Sequence, residues 1–334
     1  MELPTILFLD TVAPHSYSPV ELGGCGGTEA TVCDIAEALA DTGEFNVVVE
    51  QQHRVVDYNG KAHYTSQGKT RDARWVIVLR DPGAMLDARK RFPNAKIYQW
   101  SHDLATRDLG LCYARGVYKE SGCVANICVS KWHRSQTIEV LKPFGYHGEF
   151  RTKYIYNPLN SDVVRTDEPY DRNKLLWLAS PHKGLARALE IFHYLVKLNK
   201  DFKFYVANPG YYPDQEALPD NVISLGSLSH AEVIAHTRTA LALFYPNTVF
   251  PETFGKILTE ANAVGTPVLT HPFGAAQEVL DTHPGQLVSC YDTEAVIKRI
   301  MKWYEGARPI VRSKPAFKLF NVIQEWKRLL YELR

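Results

Sequence analysis

The chain has 334 residues, enough for two domains of ordinary size rather than one. Its 38 Lys and Arg against 37 Asp and Glu leave no charge surplus for holding nucleic acid or an acidic membrane electrostatically, so any anionic ligand has to be bound locally. With 45% hydrophobic and 22% charged residues the composition excludes wholesale disorder and fits a globular enzyme or binder.

From the N-terminus, Ile6 to Leu9 is a short apolar run ending in Asp10, with no basic segment before it and no apolar stretch long enough for a signal peptide. No membrane-spanning segment follows. The six cysteines, at 25, 33, 112, 123, 128 and 290, show neither CxxC spacing nor a pairing with histidine, which argues against a zinc site and a disulfide framework. These features together predict a cytoplasmic protein.

A glycine loop, Gly23-Gly24-Cys25-Gly26-Gly27, then opens into a helix carrying Val32, Ile35, Ala36 and Leu39 at helical spacing, with Thr28 as its expected N-cap. Val47 to Val49, Trp75 to Leu79, Ile97 to Trp100 and Asn126 to Val129 read as buried strands between helical or loop stretches, the pattern of a parallel sheet wrapped by helices. Residues 1–158 form one doubly wound domain in this reading. The polar stretch Asn160 to Asn173 is the expected linker, after which the pattern restarts. Strands are expected at Leu175 to Leu178, Phe204 to Ala207, Val222 to Leu225, Leu241 to Phe244 and Val268-Leu269. Helices from about Leu185, Ala231, Thr253 and Ala275 fit between them. The expectation is therefore an α/β chain of two Rossmann-like halves facing across a cleft: 1–158, 159–312, and a C-terminal packing helix over 313–334 carrying Phe317, Phe320, Val322, Ile323, Trp326, Leu329 and Leu330.

The chemistry concentrates in Pro251-Glu252-Thr253-Phe254-Gly255-Lys256-Ile257-Leu258-Thr259-Glu260, followed by a Gly265-Thr266-Pro267-Val268 exit to a strand. A helix opening near Thr253 leaves Glu252 on the preceding loop and places Glu260 two turns inside. The amides of Phe254, Gly255, Lys256 and Ile257 would then lack helical partners, and with the helix dipole they suit a diphosphate. The structural alternative is an ordinary helix with one surface glutamate.

A second element, Ala179-Ser180-Pro181-His182-Lys183-Gly184, closes the first strand of the second half, where a lysine can neutralise a leaving diphosphate as it gathers charge. The third is Trp100-Ser101-His102-Asp103, a histidine at a strand's carboxyl end, which can equally be a helix-capping loop without chemistry. The glycine loop is the fourth, with Gly26 and Gly27 favoured for ligand contact. It lacks the GxGxxG fingerprint, and Glu50 is the only acidic residue placed to read a ribose after the second strand, so nicotinamide cofactors are disfavoured. Metal binding at His102 and Asp103 is disfavoured because no third ligand is in register.

These elements resemble the GT-B retaining glycosyltransferases, specifically family four, along the whole chain. The resemblance implies that Glu252 contacts the donor sugar near the transfer site, that Glu260 accepts hydrogen bonds from the ribose, and that Lys183 binds the diphosphate. It implies that His102 lies near donor sugar and acceptor, with Asp103 as orienter. The loops at Asn208 and at Gly226-Ser227 would hold the nucleobase. The family carries an arginine a few residues before its lysine; none is present here, leaving Ser180 or His182 to take its place. The implied activity is transfer of a sugar from a UDP-, GDP- or ADP-sugar to a glycan, lipid-linked or small-molecule acceptor, with retention, by front-face attack, and without metal or other cofactor. No nucleic-acid partner and at most peripheral membrane association are expected. A catalytically silent nucleotide-binding or scaffold protein and a nucleotide-sugar epimerase are the alternatives; a glycogen-type phosphorylase would need a pyridoxal-binding lysine context that the sequence does not contain.

Overall fold

A computed structural model describes residues 3–23, 25–207 and 219–332. Gly24 of the glycine loop and the expected nucleobase contact at Asn208 fall outside these residues. The chain divides into two units, one made of Met1–Pro158 with Lys318–Arg334, the other of Leu159–Phe317.

The first unit is built on the strands β1 (Thr5–Asp10), β2 (Asn46–Gln51), β3 (Tyr58–Asn59), β4 (His63–Ser66), β5 (Trp75–Leu79), β6 (Lys96–Trp100), β7 (Cys123–Cys128) and β8 (Arg151–Tyr154). Their order in the sheet is β3-β4-β2-β1-β5-β6-β7-β8, and every pairing is parallel except β3 with β4. The strands at the centre read as unbroken apolar runs because both faces are covered. On one face Leu7 and Leu9 pack in a core with Met85, Phe92 and Tyr118. These residues come from α2 (Ala84–Arg91), the turn after it, and α4 (Val117–Glu120), beside α3 (Arg107–Ala114) and α5 (Lys131–Leu141). On the other face lie α1 (Gly27–Asp41) and the C-terminal helix α11 (Leu319–Tyr331), where Phe8 and Trp100 meet Trp326 at ring separations of 6.1 and 4.8 Å.

The tail thus divides where the sequence alone gave no reason to divide it. Phe317 is buried in the second unit against Phe254, whereas Lys318 onward belongs to the first. Phe320, expected on the packing face, is 72% exposed. The short pair β3–β4 and the strand β8 were also not anticipated; two- to four-residue strands carry too few alternations to be read.

The second unit carries β9 (Asp171–Trp177), β10 (Lys203–Ala207), β11 (Val222–Gly226), β12 (Ala240–Tyr245) and β13 (Val268–Thr270), all parallel, in the order β11-β10-β9-β12-β13. Its helices are α6 (Leu185–Leu198), α7 (His230–Arg238), α8 (Lys256–Ala263), α9 (Ala276–Val279) and α10 (Thr293–Glu305). The core is aromatic, with Phe204 between Phe192 and Phe244 and Trp177 against Tyr245. Helix α10 was not anticipated, although Asp292 caps it by accepting from the Ala295 amide and Val296, Ile300 and Trp303 line its buried face. Among the described residues no helix is long and apolar enough to cross a membrane.

In both sheets the chain leaves the first strand in one direction and later returns to pair on its other side, between β1 and β5 in the first unit and between β9 and β12 in the second. At such a switch point the loops beyond the strands' carboxyl ends diverge and leave a crevice, where ligands of open α/β sheets bind.

Candidate active site

At the switch point of the second unit, the loop after β9 and the loop after β12 bring Lys183 and Glu252 together, with Lys183 Nζ 2.8 Å from Glu252 Oε1. Lys183 ends a short 3-10 turn, Pro181–Lys183, in which its amide donates to the Ser180 carbonyl. Gly184 follows at φ 108°, a conformation that favours glycine, and turns the chain into α6. The Lys183 ammonium also lies over the Phe250 ring, 4.7 Å from its centroid, which shields one side of it from water.

Glu252 is nearly buried and has a second donor, the Tyr245 hydroxyl, 2.6 Å from the same Oε1. Burial and the neighbouring carboxylate push the Tyr245 phenol well above its usual range, so it stays a donor. Asn247 organises the intervening loop: its amide donates to the Tyr245 oxygen and the Phe250 carbonyl, and its Oδ1 accepts from the Val249 and Phe250 amides. Tyr245 and Asn247 thus form the support on which Glu252 rests.

The backbone of Glu252 is fixed from the other side. It bridges to Gly274, and its carbonyl accepts from the Ala275 amide. A Cβ on Gly274 would lie 2.6 Å from both the nitrogen and the oxygen of Glu252, so glycine is required for the two loops to approach this closely.

Helix α8 opens at Lys256 rather than near Thr253. Gly255, at φ 82°, is its N-cap, and the amides of Leu258 and Thr259 return to the Gly255 carbonyl. Thr253, Phe254 and Gly255 therefore precede the helix, while Lys256 and Ile257 fall in its first turn. The Phe254 side chain is buried in the core. The shift has a local cause: a Cβ at Gly255 would meet Leu258 at 2.8 Å, so the chain can turn sharply into the helix only at this glycine.

Glu260 lies in the second turn of α8, 5% exposed, and its Oε1 is 3.0 Å from His230 Nε2 at the start of α7. The Glu260 carboxylate raises the His230 imidazole above its usual range, chiefly through this hydrogen bond. His230 was missed in the sequence, where nothing links residues thirty apart on successive helices. Gly226 ends β11 at φ 62°, with Ser227 exposed beside it, two residues ahead of the Ser229 cap of α7.

The switch point of the first unit holds a different constellation. Asp10, at the end of β1, is fully buried; it accepts from the Val12 and Ala13 amides and from the Tyr17 hydroxyl. Arg80, just past β5, reaches Asp10 at 3.3 Å and Glu29 at 3.1 Å. It is the one non-glycine residue among those described with positive φ, 59°, a strained conformation held in place by these two buried carboxylates. Glu29 also accepts from the Gly26 amide, so the glycine loop is tied through Glu29 to Arg80. This makes Gly26, not Thr28, the N-cap of α1. A Cβ at Gly27 would meet nothing within 4 Å, so the backbone there is open.

His102 follows β6 and is buried, its ring packed at a tilt against Trp100. Burial, then Arg80 and His133, hold its imidazole well below the ordinary range, hence neutral. With Arg80, Ser101, Asp103, Asp108 and Cys112 it borders a cavity of about 360 Å³. Asp103, expected as its orienter, is exposed. Glu50 is locked in a two-pronged ion pair with Arg91 and accepts from the Gly68 and Thr70 amides, a structural assignment that leaves its carboxylate engaged.

Two Rossmann-like units, with paired charged residues at the switch point of each, have the fold of the GT-B glycosyltransferases. Residues 176–314, which lie within the second unit, match the family described as Glycosyl transferases group 1. Phosphatidyl-myo-inositol mannosyltransferase of Mycobacterium leprae (strain TN) is 25% identical over 311 residues, covering 85% of this chain and 81% of that protein. Among solved structures, sucrose-phosphate synthase from Thermosynechococcus elongatus superposes with a TM-score of 0.69 at 15% identity, covering 98% of this chain and 95% of the other. WaaG, a glycosyltransferase involved in lipopolysaccharide biosynthesis, gives 0.65 at 14% identity, covering 98% and 100%.

Proposed function

We propose that this protein is a retaining glycosyltransferase of family four that moves a sugar from a nucleoside diphosphate sugar to an acceptor hydroxyl without a metal. The observation that carries the reading is the Lys183–Glu252 pair at the switch point of the second unit, backed by Tyr245.

In this reading the donor's diphosphate is held by Lys183 and the first-turn amides of α8 at Lys256 and Ile257, where the helix dipole adds roughly half a positive charge. Lys183 then exchanges Glu252 for phosphate oxygens. Tyr245 keeps the carboxylate in place as the lysine turns away, and Glu252 accepts hydrogen bonds from the donor sugar. As the glycosidic bond to phosphate lengthens, charge accumulates on the leaving diphosphate, and a fixed cation stabilises that state more than the ground state. The acceptor oxygen attacks from the face the diphosphate leaves, and a diphosphate oxygen takes its proton, so configuration is retained without a protein nucleophile. Ser180 and His182, on the turn that carries Lys183, stand where the family's arginine is missing. His102, neutral and beside a cavity, is assigned to the acceptor side, with Gly26 and Gly27. The mannosyl transfer named for the mycobacterial relative supports a hexose as the transferred group.

The test is release of nucleoside diphosphate from UDP-, GDP- and ADP-sugars in the presence of EDTA, with the product's anomeric configuration read by NMR. Turnover of one donor series with retention is expected. Inversion, or a strict requirement for a divalent cation, would overturn the reading.

A further inference from the structure

His230 and Glu260 come from consecutive helices of the second unit, at residues that neither fold nor capping requires to meet. Helix α7 is capped by Ser229, which accepts from the Glu232 amide, while the Glu232 carboxylate accepts from the Ser229 amide; the His230 side chain takes no part in this. The imidazole instead reaches across to α8. The Glu260 side chain is 7% exposed and that of His230 43%, so the carboxylate is sheltered and the histidine is its solvent-facing neighbour. His230 opens α7 four residues beyond Gly226, next in the chain to the Gly226-Ser227 loop assigned to the nucleobase.

A carboxylate that accepts from a sugar diol works best when it cannot rotate, since a free carboxylate loses orientation and is resolvated as the ligand leaves. Here one carboxylate oxygen is occupied by the imidazole at 3.0 Å, which fixes the plane of the group and leaves Oε2 as the oxygen for a ligand. Resting on the glycosyltransferase reading above, we propose that His230 is a positioning residue for donor recognition, holding Glu260 so that its second oxygen reads the ribose 2′-hydroxyl. The couple acts as one unit: the histidine orients, and the glutamate accepts. Lys256 and Asp162 also act on the imidazole electrostatically, in opposite directions, so the Glu260 contact dominates its state.

The experiment is calorimetric titration of the full chain with UDP, GDP and ADP and with their 2′-deoxy counterparts. For the diphosphate that binds, the wild type should prefer the ribo form by about tenfold to hundredfold, the value of one hydrogen bond to a charged group. His230→Ala should bring the ratio to within about threefold, and His230→Gln, whose amide can still donate to Glu260, should recover much of it. If His230→Ala weakens ribo and deoxy forms equally, the histidine is only a tie between two helices and the proposal falls. Glu260→Gln separates the two levels: an unchanged ribo preference in this variant overturns the ribose reading itself, whereas a lost preference there combined with a retained one in His230→Ala overturns the role of His230 alone.

Discussion

Lys183 and Glu252 are held 2.8 Å apart by loops that leave neighbouring strands, and the pair is partly shielded, with side chains 23% and 11% exposed. The pair sits where the two halves of the second sheet diverge, so the same topology that creates the crevice also brings the charges together.

Lys183→Ala should lower sugar transfer by about 10²- to 10³-fold, the scale of losing one fixed donor to developing charge, and lower stability by about 1–2 kcal/mol because the nearly buried Glu252 loses its cation. Tyr245 still holds Glu252 in that variant. Rates of nucleoside diphosphate release, compared with urea unfolding, check both parts; a loss smaller than about tenfold would remove Lys183 from the reaction.

Tyr245→Phe deletes the 2.6 Å contact to Glu252 and one acceptor for the Asn247 amide. A cost of about 1–2 kcal/mol in stability is expected, since buried partners lose a donor without gaining water. Activity should fall less than in Lys183→Ala. Equal stability of the two proteins would show that the hydroxyl does not support the carboxylate.

Gly274→Ala should be strongly destabilising. The added methyl would sit 2.6 Å from the Glu252 backbone at a residue with φ 63°, for a loss of about 2–4 kcal/mol from crowding and backbone strain combined. Gly27→Ala, with open space around it, should stay within about 0.5 kcal/mol of the wild type. Thermal denaturation of both variants side by side is the check.

Acid should destabilise the first unit through its buried histidines. Burial pushes His133 from 6.5 down to about 4, and His102 moves in the same direction by burial, Arg80 and His133. Between those two values the unfolded chain binds the proton and the folded chain does not, so stability is fully present above pH 7 and drains away as pH falls through the window. For His133 alone the loss by pH 5 is about 2 kcal/mol. Urea midpoints at pH 7.5 and 5 measure it, and His133→Gln should flatten the slope.

Trp326→Ala should cost about 3–5 kcal/mol, the usual range for emptying a buried aromatic site. Its ring contacts Phe8 and Trp100, the latter two residues before His102, so the tail helix completes the core beneath that histidine. Fluorescence-monitored unfolding tests this; a stability unchanged from wild type would mean that α11 is not part of the first unit.

The sequence by itself determined the alternation of buried strands and amphipathic helices, because a parallel sheet covered on both faces demands unbroken apolar runs such as Ile6 to Leu9 and Leu241 to Phe244. It also marked the loops after β6, β9 and β12, since glycines and charged residues just beyond an apolar run interrupt the pattern that the core requires. Tertiary structure alone decided which of those loops become neighbours. Strand order, absent from any local window, places β9 beside β12 and β1 beside β5, and with them Lys183 beside Glu252 and Arg80 beside Asp10. The contact of His230 with Glu260, the role of Tyr245 and the return of α11 to the first unit were hidden for the same reason: each joins residues whose separation along the chain carries no period, and packing, not propensity, brings them together.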